Sequence, residues 1–190
     1  MTKRKKMMLF YFVVIFATLT MKNVSCQKLD LDIYKGCMDT KGCVGNTKNC
    51  VEEKNCSLLT TFFGETSDSY TIEIYGSVPQ SNRYIAVGLS FDGNMDYDSV
   101  MACTVTSTLE VDVQMYWNSA KSGLYYSYPL GDIHFGLSNI QGQLVDDVLY
   151  CKFTRQSMLE IEIPSIEGET QVFDLNMDSY HLLLASGPLQ

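Results

Sequence analysis

The sequence predicts an all-β protein, an antiparallel β-sandwich of about nine strands with a disulfide-rich lobe on its N-terminal side. Three observations carry this. Short runs along most of the chain alternate apolar and polar residues, turn residues separate many of them, and no amphipathic helical pattern exceeds two turns. A period of two puts successive side chains on opposite sheet faces, so each such strand has one dry face. Sheets of this kind bury their dry faces against each other.

The chain opens with basic residues at positions 3–6 and an apolar run from Met7 to about Met21. That run of about 15 residues is short of the ~20 needed to span a bilayer and fits a signal peptide. Val24 and Cys26 occupy the positions a signal peptidase reads, which predicts cleavage after Cys26 and a secreted, extracellular product; an uncleaved signal anchor is the rival reading. The expected division is a signal peptide over 1–26, a cysteine-rich segment over 27–57 and the sandwich over 58–190. No later apolar run reaches spanning length, so no transmembrane segment is expected in the mature chain. Cleavage removes five of the 14 Lys and Arg and none of the 22 Asp and Glu, leaving a net charge of −13. So acidic a chain is a poor partner for nucleic acid or anionic lipid.

Seven cysteines are present, and Cys26 falls at the cleavage point. The remaining six, Cys37, Cys43, Cys50, Cys56, Cys103 and Cys151, read as three disulfides in an exported chain. Cys103 and Cys151 lie in two apolar strands and are expected to bond each other, closing a loop worth about 4 kcal/mol. The pairing of the other four is open. Their C-x5-C-x6-C-x5-C spacing lacks the close pairs of a zinc site, and only His134 and His181 could assist. Asn55-Cys56-Ser57 is a glycosylation sequon at Asn55.

The strands follow in order. The clearest are 70–76, with Ile72 and Ile74 on one face and Thr71, Glu73 and Tyr75 on the other; 109–117, with Leu109, Val111, Val113, Met115 and Trp117 sharing a face; and 157–164, where Leu159, Ile161 and Ile163 alternate with glutamates. Less regular runs are 58–63, 83–90, 99–106, 145–154, 170–175 and 179–186. Residues 125–128, YYSY, read as a strand end or hairpin whose rings could pack or stack on a ligand.

No catalytic constellation stands out. Neither a G-x-S-x-G elbow nor H-E-x-x-H occurs, two histidines cannot build a multi-histidine copper centre, and Asp146 and Asp147, read as strand neighbours, would face opposite ways. In 91-FDGNMDYDSVMAC-103, the spacing of Asp92, Asn94, Asp96 and Asp98 imitates an EF-hand loop. Tyr97 and Cys103 stand where that loop needs Gly and Glu.

The run 83-RYIAVGLSFDGNMDYDSVMACTV-105 resembles the signature of a DOMON domain. The segment 36-GCMDTKGCVGNTKNCVEEKNC-56 resembles the cysteine lobe that precedes DOMON in ferric-chelate reductase type proteins, and 150-YCKFTR-155 and 180-YHLLLASGP-188 resemble that group's later strands. The resemblance spans about residues 36–188 and implies an Ig-like sandwich that binds haem or sugar. For the haem-binding members it implies a haem b held by a methionine of the acidic loop and a histidine near the C-terminal end. Met95 matches the first, with Met101 as substitute. For the second, His181 and His134 are the only candidates, and both precede the position the family uses. The expected function is a secreted, non-catalytic DOMON module for a small ligand (haem or sugar) or an extracellular protein. The alternative is a b-type haem electron carrier using Met95 and a histidine.

Overall fold

The computed structural model describes residues 32–121, 124–163 and 168–189; the expected signal sequence and its cleavage point lie outside them. In chain order the strands are β1 (Gly42–Gly45), β2 (Leu58–Thr66), β3 (Ser69–Ser77), β4 (Arg83–Ser90), β5 (Asp98–Val105), β6 (Val111–Lys121), β7 (Leu124–Pro129), β8 (Leu137–Val145), β9 (Val148–Gln156), β10 (Met158–Glu162), β11 (Thr170–Asp174) and β12 (His181–Pro188). One helical turn, α1 (Cys50–Glu53), lies between β1 and β2.

Two five-stranded antiparallel sheets result, ordered β1-β2-β3-β9-β8 and β12-β4-β5-β6-β7, with β10-β11 as a separate hairpin. All nine expected strands are present. The three additional ones carry weak signals: β1 has four residues, β7 contains the YYSY run, and β8 is polar, irregular in register between Ser138 and Gln141, and at a sheet edge.

Inward residues of the two sheets interdigitate as alternation requires. Ile72, Ile74, Leu149 and Phe153 of the first sheet share a core with Ile85, Val87, Met101, Val113, Met115 and Trp117 of the second. Burying each such side chain contributes roughly 1.5–3 kcal/mol. Cys103 and Cys151, both fully buried, bond across this core as expected. Leu109 departs from its expected face. It is largely exposed and has φ 66°, because it belongs to the turn that Thr106 closes before β6 begins. Asp146 and Asp147 are likewise turn residues, not strand neighbours. Both have positive φ, and they form the two-residue connection of the β8–β9 hairpin.

The expected wet face of β3 is dry. Cys37 bonds Cys43 and Cys50 bonds Cys56, and the folded lobe lays Ile33, Cys50 and Cys56 against Leu59 and Tyr150. Gly45 permits this docking, since a Cβ there would overlap both sulfurs of the Cys50–Cys56 bridge. Glu73, on the same face, is 4 % exposed. Its carboxylate accepts hydrogen bonds from Lys41 (2.6 Å), Thr61 (2.7 Å) and Tyr150 (2.8 Å), and so ties the lobe to the sheet.

Desolvation by burial pushes the Glu73 pKa up, but the donated hydrogen bonds and the Lys41 charge outweigh it, and the net pKa is lowered. A carboxyl with a depressed folded pKa contributes stability above its unfolded pKa and loses it as pH falls through the folded value. The Glu73 contribution is therefore expected to decline once the pH falls below the ordinary glutamate value of about 4.3. Melting temperatures scanned from pH 6 to 3 should fall more steeply for the wild type than for Glu73→Gln. Parallel slopes would contradict this account.

Candidate functional site

Between β2 and β12 the two sheets part, leaving a cleft of about 240 Å³. Thr60 and Phe62 of β2 and Tyr70 and Ile72 of β3 form one wall. Val87, Leu89, Met101 and Leu182 form the other, and Leu175, Asp178 and Tyr180 line the end. Alternation explains the lining: these are the inward positions of strands that elsewhere meet in the core. The walls are mostly apolar with a few polar groups, the usual make-up of a small-ligand site. One polar group has no partner among the described residues, the Oγ1 of Thr60, which is 2 % exposed. The Tyr70 hydroxyl donates to Asn176, and the Tyr180 hydroxyl donates to Asp178 at 3.1 Å.

Aromatic contacts connect this cleft to the loop over 91–97. Phe91 lies 5.0 Å from Tyr180 and 5.3 Å from Phe173, centroid to centroid. Phe173 meets Trp117 edge-on, and Trp117 in turn meets Tyr97. Trp117 and Phe173 are fully buried, whereas Phe91, Met95 and Tyr97 are nearly half exposed.

The loop is organised around the Ser90 hydroxyl, which accepts the Gly93 N–H at 2.9 Å and lies within 3.2 Å of both Asp92 and the Asn94 carbonyl. Asp92 accepts from the Asn94 backbone and side chain, which lowers its pKa. Asp98, by contrast, is fully buried with neither carboxylate oxygen in a hydrogen bond of standard geometry. Burial pushes its pKa up to about 6, with the Asp96 and Asp92 charges adding to the shift and Ser90 and Asn118 opposing it. A folded pKa above the unfolded value means stability present at low pH and lost as pH rises through the folded value. Asp98→Asn should therefore raise the melting temperature at pH 7 and flatten the decline between about pH 4 and 6. An unchanged pH 7 midpoint would mean that Asp98 is better solvated than its burial implies.

The structure brings Met95 and His181 to the same end of β4. His181 stands opposite Ser90 in the β4–β12 pairing, and its ring lies against Gly93, whose φ is 81°. Because Tyr180 and Leu182 line the cleft, His181 between them faces outward, and no histidine is among the cleft's lining residues. The substitutes are elsewhere. Met101, 0 % exposed, belongs to the cleft wall on β5 and not to the acidic loop. His134 binds Asp112 through Nε2 at 3.0 Å, near the start of β6. That is six residues from Asn118, the β6 partner of Asp98, and so about 20 Å away along the strand.

Asn55 is exposed and donates to Glu53. Tyr128 is partly exposed; the side chains of Tyr125 and Tyr126 lie outside what the structure describes. Among the described residues no cluster of three or more His, Cys, Asp or Glu is arranged to hold a metal, and no helix is long and apolar enough to cross a membrane. Sequence reasoning missed Thr60 and Tyr70 as cleft residues. Their only signal was the inward parity of β2 and β3, and parity does not reveal where two sheets separate.

The family model for the DOMON domain matches residues 53–187. The chain is 31% identical over 156 residues to a putative ferric-chelate reductase 1 homolog of Drosophila melanogaster, covering 82% of this chain and 22% of that protein. It is 28% identical to ferric-chelate reductase 1 of Mus musculus over 152 residues and to that of Homo sapiens over 151, covering 80% of this chain and 23% of each. The chain thus spans less than a quarter of the length of these relatives.

Proposed function

The chain belongs to the DOMON domain family, and on that premise we propose that it is an exported, non-catalytic module that binds a small ligand in the cleft between β2 and β12. The observation that carries this reading is the Thr60 hydroxyl, unpartnered among the described residues, inside a mostly apolar cleft. A buried polar group without a partner costs about 1–3 kcal/mol, which a ligand's own polar group would recover. At about 240 Å³ the cleft is somewhat below the roughly 300–1,000 Å³ of drug-sized sites, which favours a compact ligand of one ring. Three disulfides are consistent with an oxidising, extracellular setting.

The test is a panel of one-ring compounds, monosaccharides and simple aromatics among them, followed by calorimetry and melting temperature. A binder should lose at least tenfold affinity in Thr60→Val, and Phe62→Trp should obstruct it by filling the cleft. A panel that leaves the wild-type melting temperature unmoved would remove this reading.

A second reading, a b-type haem electron carrier, is favoured by the placing of His181 and the Met95 loop at one end of the sandwich. Imidazole and thioether fit the donor chemistry of an axial pair, and a haem so held would supply one-electron transfer. Here Met95 would offer its sulfur from an exposed loop, and His181 would be oriented by its packing on Gly93. Protein produced in an oxidising compartment and supplied with haem should then show a Soret band that Met95→Ala and His181→Ala both alter. Without that band, the electron-transfer reading falls.

A further inference from the structure

One charged group has no account in the fold. Arg155 ends the inward series Leu149, Cys151, Phe153 on β9 and is 0 % exposed. Its Nη1 donates to the carbonyls of Gln156 (2.8 Å) and Ser157 (3.4 Å), but Nε and Nη2 have no hydrogen-bond partner among the described residues. An arginine is almost never fully buried unless its charge is paired. No salt bridge to Arg155 occurs among the described residues.

Its position relates it to the cleft. Tyr70 stands directly opposite Arg155 in the β3–β9 pairing. The Ser157 carbonyl that Arg155 holds also accepts the Leu175 N–H. Tyr180 is close enough to interact with it electrostatically. Tyr70, Leu175 and Tyr180 all line the cleft, so the guanidinium lies behind one part of its wall.

The two free nitrogens also specify chemistry. Nε–H and one Nη2–H of a guanidinium run parallel along one edge, the fork that engages both oxygens of a carboxylate. We propose that the cleft binds a compact organic acid, its apolar body against Phe62, Val87 and Leu182 and its carboxylate paired with the Nε/Nη2 edge of Arg155. This inference rests on the cleft being the ligand site and adds the ligand's class. A single negative charge matches a single guanidinium. A dianion such as a phosphate monoester would carry an uncompensated charge into an apolar site beside Asp178. The carboxylate passes between the wall side chains to reach Arg155, so association should be slower than diffusion.

The test uses the folded, disulfide-bonded domain with benzoate, benzyl alcohol and phenyl phosphate. Benzoate should bind at least tenfold more tightly than benzyl alcohol. It should also shift one of the two arginine Nε–H resonances of the domain, those of Arg83 and Arg155, and Arg155→Lys should lose at least tenfold in benzoate affinity. Equal binding of benzoate and benzyl alcohol, with no shifted Nε–H resonance, would overturn the acid assignment while leaving the cleft as a ligand site. Phenyl phosphate binding more tightly than benzoate would overturn the choice of carboxylate. Failure of all three probes, and of the one-ring panel above, would overturn both the assignment and the cleft reading. If Arg155→Lys does not fold, the Nε–H shift in the wild type still decides.

Discussion

Replacing Cys103 and Cys151 together by alanine is expected to lower the unfolding free energy by about 4 kcal/mol. The two residues are 48 apart in sequence and join β5 of one sheet to β9 of the other. Cutting that link restores a long loop's freedom to the unfolded chain. The same chain-entropy relation gives only about 2 kcal/mol for each lobe bridge, because both span a separation of 6. Against a usual domain stability of about 5–15 kcal/mol, the sandwich bridge is a large share. Urea unfolding checks this. The midpoint should fall sharply in the double variant, and an effect no larger than that of removing a lobe bridge would refute the loop argument. The double change is needed because a single one leaves a reactive thiol in the core.

Trp117→Ala is expected to cost about 3–5 kcal/mol. Trp117 is fully buried and touches both Phe173, on the β10–β11 hairpin, and Tyr97, in the acidic loop. Its loss would open a cavity where three parts of the structure meet, loosening the hairpin and loop as well as the core. Trp117→Phe should cost only a fraction of this. It keeps most of the ring contact and removes the indole N–H, which is buried without a partner. Comparable losses in the two variants would indicate that this N–H has a hidden partner. Equilibrium denaturation followed by far-UV circular dichroism suits both variants, since the chain has only one tryptophan and each removes it.

Much of this architecture was readable from periodicity. Val113, Met115 and Trp117 alternate with polar neighbours and are fully buried, as are Ile72 and Ile74 to within a few per cent. Periodicity misled at Leu109, where a turn with positive φ interrupts the pattern before β6. It also misled on the outer face of β3, because the cover over Glu73 comes from a distant cysteine-rich segment with no regular pattern. The Cys103–Cys151 bond was legible because both residues lie in apolar strands. The cleft and the solitary charge of Arg155 were not. The sequence marks Arg155 only as the end of an alternating strand, and its lack of a partner depends on which groups from β3 and from the connection between β11 and β12 come near it.

The short β1 has a further consequence for solubility. It pairs with residues Leu59–Phe62 of β2, a nine-residue strand that would otherwise form a bare sheet edge. Open edges of that length invite pairing between molecules, and very short covering strands are a common safeguard. The Cys37–Cys43 bridge that anchors β1 is only partly buried, whereas Cys103–Cys151 is sealed in the core. Mild reductant should therefore release the edge cover before it loosens the sandwich. The first sign of reduction would be self-association of still-folded molecules, ahead of any loss of the native β-sheet signal.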